Sequence, residues 1–153
     1  MRAFVINEWL WSDLAGENGE NAVRDTAACV VGLVESAHEI VVVRGSTFDQ
    51  KLLRTWSKNL IARNAVMAFR ALRLDSARCR SLEPDDLAPL SPELAQAVKT
   101  DDHYLVQACI ATDATVVTTD APLRGVLANA KKPAIDRDTF VDLCRGGPVR
   151  KPT

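Results

Sequence analysis

Three short segments rich in β-branched residues constrain this chain most, because each fits a buried strand. They are residues 3–6 (AFVI), 39–43 (EIVVV) and 115–119 (TVVTT), and stretches with helical periodicity separate them. Apolar strands that alternate with helices are typical of a parallel sheet covered on both sides. The sequence therefore predicts an α/β protein of three layers, with helices on both faces of a central parallel sheet.

Helical periodicity and turn residues predict the remaining elements. Helices are expected at 22–37, 46–74, 94–98, 101–112, from 122 onwards and at 137–143, with an edge strand within 131–136. One apolar face is expected along the long helix, formed by Leu52, Leu53, Trp56, Leu60 and Ile61. Residues 1–145 are expected to form a single domain, and 146–153 (GGPVRKPT) a loose tail.

Several classes of protein are excluded by what the chain lacks. It has neither GxGxxG nor GxxxxGK[ST], and no GxSxG motif, which argues against nucleotide-dependent enzymes and serine hydrolases. No apolar run is long enough for a membrane span, and the start (MRAFVINEWLW) does not resemble a signal peptide. The four cysteines lack CxxC spacing, which is typical of reduced thiols. We therefore expect a cytoplasmic protein without a membrane partner.

Polar side chains that carry oxygen follow each of the three strands. Asn7 and Glu8 follow the first strand, Asp49 lies shortly after the second, and Asp120 follows the third. Because the carboxyl ends of parallel strands meet at one edge of a sheet, this edge is where function is expected. Carboxylate and amide oxygens suit Mg²⁺ or Mn²⁺ better than softer metals.

Two further acids, Asp101 and Asp102, open the helix that precedes the third strand. Either could serve only the helix, because a negative charge in its first turn interacts favourably with the helix dipole. Asp120 has the same alternative, since it could cap the helix that follows it. Caps alone do not explain polar groups at three strand ends, so the sequence favours a metal site that includes these acids.

The segment DDHYLVQACIATDATVVTTDAPLRGVL (101–127) resembles the second half of a PIN domain. It has an acid at a helix start, small residues along that helix, a short strand, and a Thr-containing turn that ends in Asp. The segment KPAIDRDTFVDL (132–143) is similar to the closing strand and helix of that family. The resemblance covers 101–143 and is loose before it, and it implies a PIN-like three-layer α/β/α fold.

The resemblance also implies a function. Most PIN domains bind Mg²⁺ or Mn²⁺ through clustered acids and cleave single-stranded RNA, and many are toxins restrained by an antitoxin. RNA, an antitoxin protein and a second copy of the chain are therefore the expected partners. The matching residues are Asp120 for the turn acid, Thr119 or Thr118 for its hydroxyl neighbour, Asp102 or Asp101 for the helix acid, and Asp49, with Glu35 as fallback, for the acid after the second strand.

The first strand end departs from the family pattern. Where PIN domains have Asp followed by Thr or Ser and then Asn, this chain has VINEW, with Asn7 at the Asp position and Glu8 next. Asparagine offers a metal an oxygen but no charge. Either Glu8 supplies the missing carboxylate, or the site is impaired and the chain binds RNA or protein without cutting.

A basic block supports a nucleic-acid partner even though the formal net charge is only −1. Residues 44–80 contain nine Lys and Arg residues and two acids. Lys51, Arg54 and Lys58 are expected to share one helix face and to contact phosphates, although a solvated surface is the alternative. Trp56 is expected in the core rather than as a base-stacking platform. Trp9 and Trp11 fit either a core or an exposed partner surface.

Overall fold

The computed structural model describes residues 2–145, so the tail predicted at 146–153 lies outside the described residues. Five strands form one parallel sheet: β1 (Ala3–Ile6), β2 (Glu39–Val43), β3 (Cys79–Leu82), β4 (Thr115–Val117) and β5 (Ala134–Ile135). Their order across the sheet is β3-β2-β1-β4-β5. The strand β1 is therefore at the centre of the sheet, and the other two apolar strands, β2 and β4, pair with it on either side.

Helices cover both faces of this sheet, which confirms the predicted three-layer α/β/α architecture. Strand side chains alternate between the faces, so Phe4 and Ile6 pack into one layer and Val5 into the other. The first layer contains α1 (Trp9–Leu14), α2 (Glu20–Glu35), α3 (Thr47–Arg54), α4 (Leu60–Leu74) and α8 (Arg137–Arg145). The second contains α5 (Pro92–Ala97), α6 (His103–Thr112) and α7 (Ala121–Asn129). No helix within residues 2–145 has the length and apolarity of a bilayer span.

The long helix predicted at 46–74 is wrong, because residues 55–59 separate α3 from α4. The Asn59 side chain accepts hydrogen bonds from the backbone N–H groups of Ile61 and Ala62, so it caps a new helix. This break changes which side chains face the core. Of the predicted apolar face only Leu52 is buried, and the others are exposed: Leu53 by 76%, Trp56 by 64%, Leu60 by 64% and Ile61 by 56%.

Two elements were not predicted. The strand β3 has two polar and two apolar side chains (CRSL) and lies at the edge of the sheet, where burial does not require an apolar run. The helix α1 has buried residues on nearly every side, so its sequence shows no amphipathic period. Trp9 and Trp11, whose place the sequence left open, both belong to the core. Their indole N–H groups donate to the carbonyls of Val117 and Phe48, at 3.1 Å each.

The contact between α2 and α8 gives a test of this packing. A Cβ atom added at Gly32 would overlap the backbone carbonyl of Cys144, whereas one added at Gly125 in α7 would meet nothing within 4 Å. We expect Gly32→Ala to lower the free energy of unfolding by about 1–3 kcal/mol, the usual range for overpacking. Gly125→Ala should instead raise it by about 0.5–1 kcal/mol, because alanine restricts the unfolded chain.

Urea denaturation of the two variants would measure both effects. An unchanged stability of Gly32→Ala would show that α8 does not pack against α2 as described.

Candidate functional site

The candidate site forms where β1 and β4 end side by side. In the parallel register Ile6 lies beside Val117, the last residue of β4. The Val117 carbonyl accepts hydrogen bonds from the backbone N–H of Asn7 at 2.9 Å and from the Trp9 indole at 3.1 Å. These two bonds fix the turn that carries Glu8 against the turn that carries Asp120.

Asp120 and Asp102 form the centre of the site. Asp120 caps α7, because its Oδ1 accepts from the Leu123 N–H at 3.1 Å. Asp102 stands at the N-cap position of α6, yet its side chain makes no capping bond. Both line a cavity of about 90 Å³. Burial raises the pKa of Asp102, and the nearby negative charge of Asp120 raises it further.

The cap and the metal interpretation of Asp120 are therefore compatible. One carboxylate oxygen serves the helix, while the charge of the group still acts on Asp102. A carboxylate pair of this kind attracts a cation, because bringing two like charges together without one is unfavourable. Asp101, the competing helix acid, is exposed to solvent.

Asp102 also connects this pair to the first strand end. It lines a second, larger groove of about 730 Å³ together with Asn7, Glu8 and Thr119. The Glu8 carboxylate forms a salt bridge with Lys51 on α3, at 3.1 Å. Burial alone would raise the pKa of Glu8, but hydrogen bonding from Thr47 and the charge of Lys51 together lower it. Glu8 is thus ionised at the groove and already has a cationic partner.

Asn7 and Thr118 support the backbone at the two strand ends. The Asn7 Oδ1 accepts from the Glu8 N–H at 2.7 Å, and its Nδ2 donates to the Thr118 hydroxyl at 3.1 Å. The same hydroxyl accepts from the Asp120 N–H at 3.1 Å. Thr118 is completely buried, whereas Thr119 is exposed and lines the groove. Of the two threonines, Thr119 is the one placed to contact a substrate.

Asp49 lies at the start of α3, as predicted, but its carboxylate is directed elsewhere. It accepts from the Gly45 N–H at 2.9 Å and forms a salt bridge with Arg73 of α4 at 3.0 Å. Burial alone would raise the pKa of Asp49, but these two partners together lower it. The fallback, Glu35, is exposed at the end of α2, next to the amino end of β2 and therefore at the opposite edge of the sheet.

The predicted RNA-contacting cations are all exposed, but they do not share one helix face. Lys51 and Arg54 lie on α3, and Lys58 lies in the segment between α3 and α4. The predicted common face is wrong because the helix ends at Arg54. Of these three cations, Lys51 is the one that forms a salt bridge with a site carboxylate, since its ammonium contacts Glu8.

Tyr104 is a site residue that the sequence analysis missed. Burial raises the pKa of its hydroxyl to about 12, and the charges of Glu8 and Asp102 contribute to the rise. Its oxygen lies beside Thr47 but makes no hydrogen bond of normal geometry within the described residues. In the sequence, only the position of Tyr104 two residues after Asp102 could have indicated that it belongs to the site. The hydroxyl is a neutral donor beside two acids.

The donors fit a hard divalent cation in type, because all of them are oxygens. Within residues 2–145, however, no three His, Cys, Asp or Glu side chains are grouped closely enough to hold a metal ion. Mg²⁺ is usually bound by one or two carboxylates together with water and substrate phosphates. The pair Asp102 and Asp120 meets that requirement. Burial and the charge of Asp120 raise the pKa of Asp102, and the positive charge of Lys99, which lines the same cavity, offsets this rise only in part.

The raised pKa predicts a pH-dependent stability effect. Below about pH 3.9 Asp102 is protonated in both the folded and the unfolded chain. As the pH rises through the folded-state pKa, ionisation of the buried group disfavours the folded state. Asp102→Asn should therefore raise the free energy of unfolding at pH 7 and change it little at pH 3. Exposed Asp101 supplies the control, since Asp101→Asn should have a much smaller effect at pH 7. Equal effects of the two substitutions in urea titrations would contradict the effect of partial burial and of Asp120 on Asp102.

Comparison with known proteins assigns no function to this site. No protein-family model matches the chain, and no curated protein has a significantly similar sequence. What the site does has to be inferred from its own side chains and their geometry.

Proposed function

We propose that this chain is a PIN-like endoribonuclease that uses Mg²⁺ or Mn²⁺ to cleave single-stranded RNA. One observation carries the proposal: Asp102 and Asp120 line one cavity at the carboxyl edge of a parallel sheet, and the charge of Asp120 helps to keep the pKa of Asp102 raised although Lys99 lines the same cavity. The resemblance of 101–143 to PIN domains supports the same function. The sheet edge is also where ligands of open α/β folds bind.

Asp102 and Asp120 are the residues that would hold the cation. When bound, such an ion activates a water molecule for attack on a phosphodiester and neutralises negative charge on the phosphate. Glu8 is the nearest further carboxylate, and its salt bridge with Lys51 would have to open before it could join them. Asp49 is a poorer ligand because Arg73 already balances its charge.

In this proposal RNA would lie in the groove beside the pair, whose lining contains the acids Glu8, Asp13, Glu17, Asp25 and Asp102 together with Arg137. Its volume of about 730 Å³ extends from Asp102 past Glu8 and Thr119, so a chain lying there would pass both strand ends. The Thr119 hydroxyl is available to a phosphate or a ribose. The phosphate backbone would be attracted by three exposed cations, of which the first contacts Glu8: Lys51, Arg54 and Lys58.

The second candidate function is an RNA- or protein-binding module of PIN-like fold that does not cut. Asn7 favours it, because the position that usually carries the first acid has no charge. The salt bridges of Glu8 and Asp49 favour it too, since two of the four candidate acids already have basic partners. A response to divalent cations separates the two functions.

A manganese titration tests the metal site directly. A cation that binds only the folded chain stabilises it by about 2.7 kcal/mol at 100 times its Kd. We expect this stabilisation for the natural chain and expect its loss in Asp102→Asn and Asp120→Asn. RNA cleavage should fall by at least about 100-fold in both variants, because even residues supporting a metal ligand commonly cost 10–100-fold.

Asp142→Asn is the matched control, since it removes an exposed acid on α8 and should leave both readouts unchanged. If Asp101→Asn has the larger effect, Asp101 is the helix acid of the site. A natural chain that neither gains stability from Mn²⁺ nor cleaves RNA would leave the binding module as the better account.

Substitutions at Asn7 and Glu8 test how the end of β1 contributes to RNA cleavage. Asn7→Asp keeps the acceptor for the Glu8 N–H and can accept from the Thr118 hydroxyl, so the fold should persist. We expect it to maintain or raise cleavage, because it adds negative charge beside the pair. Glu8→Gln should abolish metal-dependent cleavage. Full activity of Glu8→Gln in a cleavage assay would show that Glu8 only pairs with Lys51.

A toxin role is a further part of the proposal. Exposed apolar residues and a groove of about 370 Å³ between α2 and α4 offer a surface for an inhibitor protein or for a second copy of the chain. A small protein encoded beside this one that binds the chain and blocks RNA cleavage would identify the antitoxin.

A further inference from the structure

Trp56 is the tryptophan that the fold leaves in solvent. Trp9 and Trp11 are exposed by 7% and 2%, whereas Trp56 is exposed by 64%. It lies in the non-helical segment 55–59, between the end of α3 and the Asn59 cap of α4. Tryptophan is enriched at interfaces, because its ring combines a large apolar surface with a polar N–H group.

The ring lines a cavity of about 260 Å³ together with Lys51 and Arg54. Ser12 and Glu17 line this cavity and also the larger groove that contains Asp102. The two openings are therefore adjacent, and Lys51 connects them, because its ammonium reaches Glu8 while its side chain lines the cavity at Trp56. A chain lying in the groove can continue to Trp56.

The surroundings of Trp56 are cationic. The Arg63 guanidinium lies 5.9 Å from the ring centre, within cation–π range. Arg54 and Lys58 are exposed and take part in no salt bridge within residues 2–145. Glu17 is the acid among the residues that line the cavity. An aromatic ring among free cations is the combination that binds single-stranded nucleic acid, since bases stack on the ring and phosphates contact the cations.

We propose that Trp56 is a base-stacking platform that positions single-stranded RNA beside the carboxylate pair. The proposal rests on the proposed function for its substrate, but stacking itself requires no metal. Arg54, Lys58 and Arg63 would contact the phosphates on either side of the stacked base. Stacking is tolerant of sequence, so Trp56 would strengthen binding of any single strand and would not select one base.

A protein partner is the competing occupant, because Leu53 and Leu60 near Trp56 are also exposed. The observations favour RNA for two reasons. Lysine is depleted at protein–protein interfaces, whereas Lys51 lines this cavity and Lys58 lies two residues from Trp56. In addition, the cavity adjoins the groove that contains the carboxylates.

The test measures binding of a mixed-sequence RNA of about ten nucleotides, within the usual range of such sites. Fluorescence anisotropy without divalent cations separates binding from cleavage. We expect Trp56→Ala to weaken binding by about 5- to 100-fold, the loss corresponding to one stacked base. Trp56→Phe should restore most of the affinity. Leu53→Ala is the matched control, since Leu53 is exposed by 76% and should leave binding unchanged.

Tryptophan fluorescence and an abasic oligonucleotide report stacking itself. RNA should quench the emission of the natural chain, and the quenching should disappear in Trp56→Phe, where only the buried Trp9 and Trp11 remain. An abasic strand of equal charge should bind the natural chain and Trp56→Ala equally well. Equal RNA affinities of the natural chain and Trp56→Ala would overturn the proposal, and so would quenching that persists in Trp56→Phe.

The outcomes also separate a failure of the stacking platform from a failure of the proposed ribonuclease function. If the natural chain cleaves RNA and Trp56→Ala binds and cleaves equally well, the stacking platform is wrong and the ribonuclease stands. If Trp56 governs RNA binding but no divalent cation supports cleavage, the platform stands and the chain is a binding module. If Trp56→Ala changes only the oligomeric state in sedimentation, the surface is a protein interface and the platform is wrong.

Discussion

The Val117 carbonyl joins the two halves of the candidate site. It accepts one hydrogen bond from the Asn7 backbone and one from the Trp9 indole, and so holds the end of β1 against the end of β4. Because buried carbonyls have to be satisfied, this contact leaves the turn after β1 little freedom. Asn7 and Thr118 add a side-chain bond across the same joint. The placement of Glu8 near Asp102 follows from these contacts.

Four candidate acids fall into two classes according to whether they form a salt bridge: Glu8, Asp49, Asp102 and Asp120. Glu8 and Asp49 have basic partners in Lys51 and Arg73, and both have a lowered pKa. Asp102 and Asp120 form no salt bridge within residues 2–145, and burial together with Asp120 raises the pKa of Asp102. The proposed cation belongs to the second class, because Lys99 offsets the charge of this pair only in part and a further positive charge would stabilise it most. This also explains how a chain with Asn7 at the first position could retain a metal.

The helix break at residues 55–59 has consequences beyond local geometry. A continuous helix would have placed Trp56, Leu60 and Ile61 on the buried face with Leu52, which is why the sequence pattern predicted them in the core. The Asn59 cap starts a new helix with a different phase, and these side chains are exposed instead. The same break separates Lys58 from Lys51 and Arg54. The surface now contains both an aromatic ring and free cations, and the proposed RNA path depends on that combination.

The sequence by itself determined the three central apolar strands, the helices that alternate with them and hence the parallel sheet, because these features depend on local patterns of burial and turns. It also placed Asn7, Glu8 and Asp120 at strand ends, since Asn7 and Glu8 follow an apolar run and Asp120 follows the β-branched run TVVTT. Only the tertiary structure decided which charges meet: Lys51 pairs with Glu8 across 43 residues, and Arg73 with Asp49 across 24. It likewise decided that the half-polar segment Cys79–Leu82 is an edge strand, because its pairing depends on β2 and not on its own composition. Electrostatic partners depend on distance in space, and local patterns contain no information about such distances.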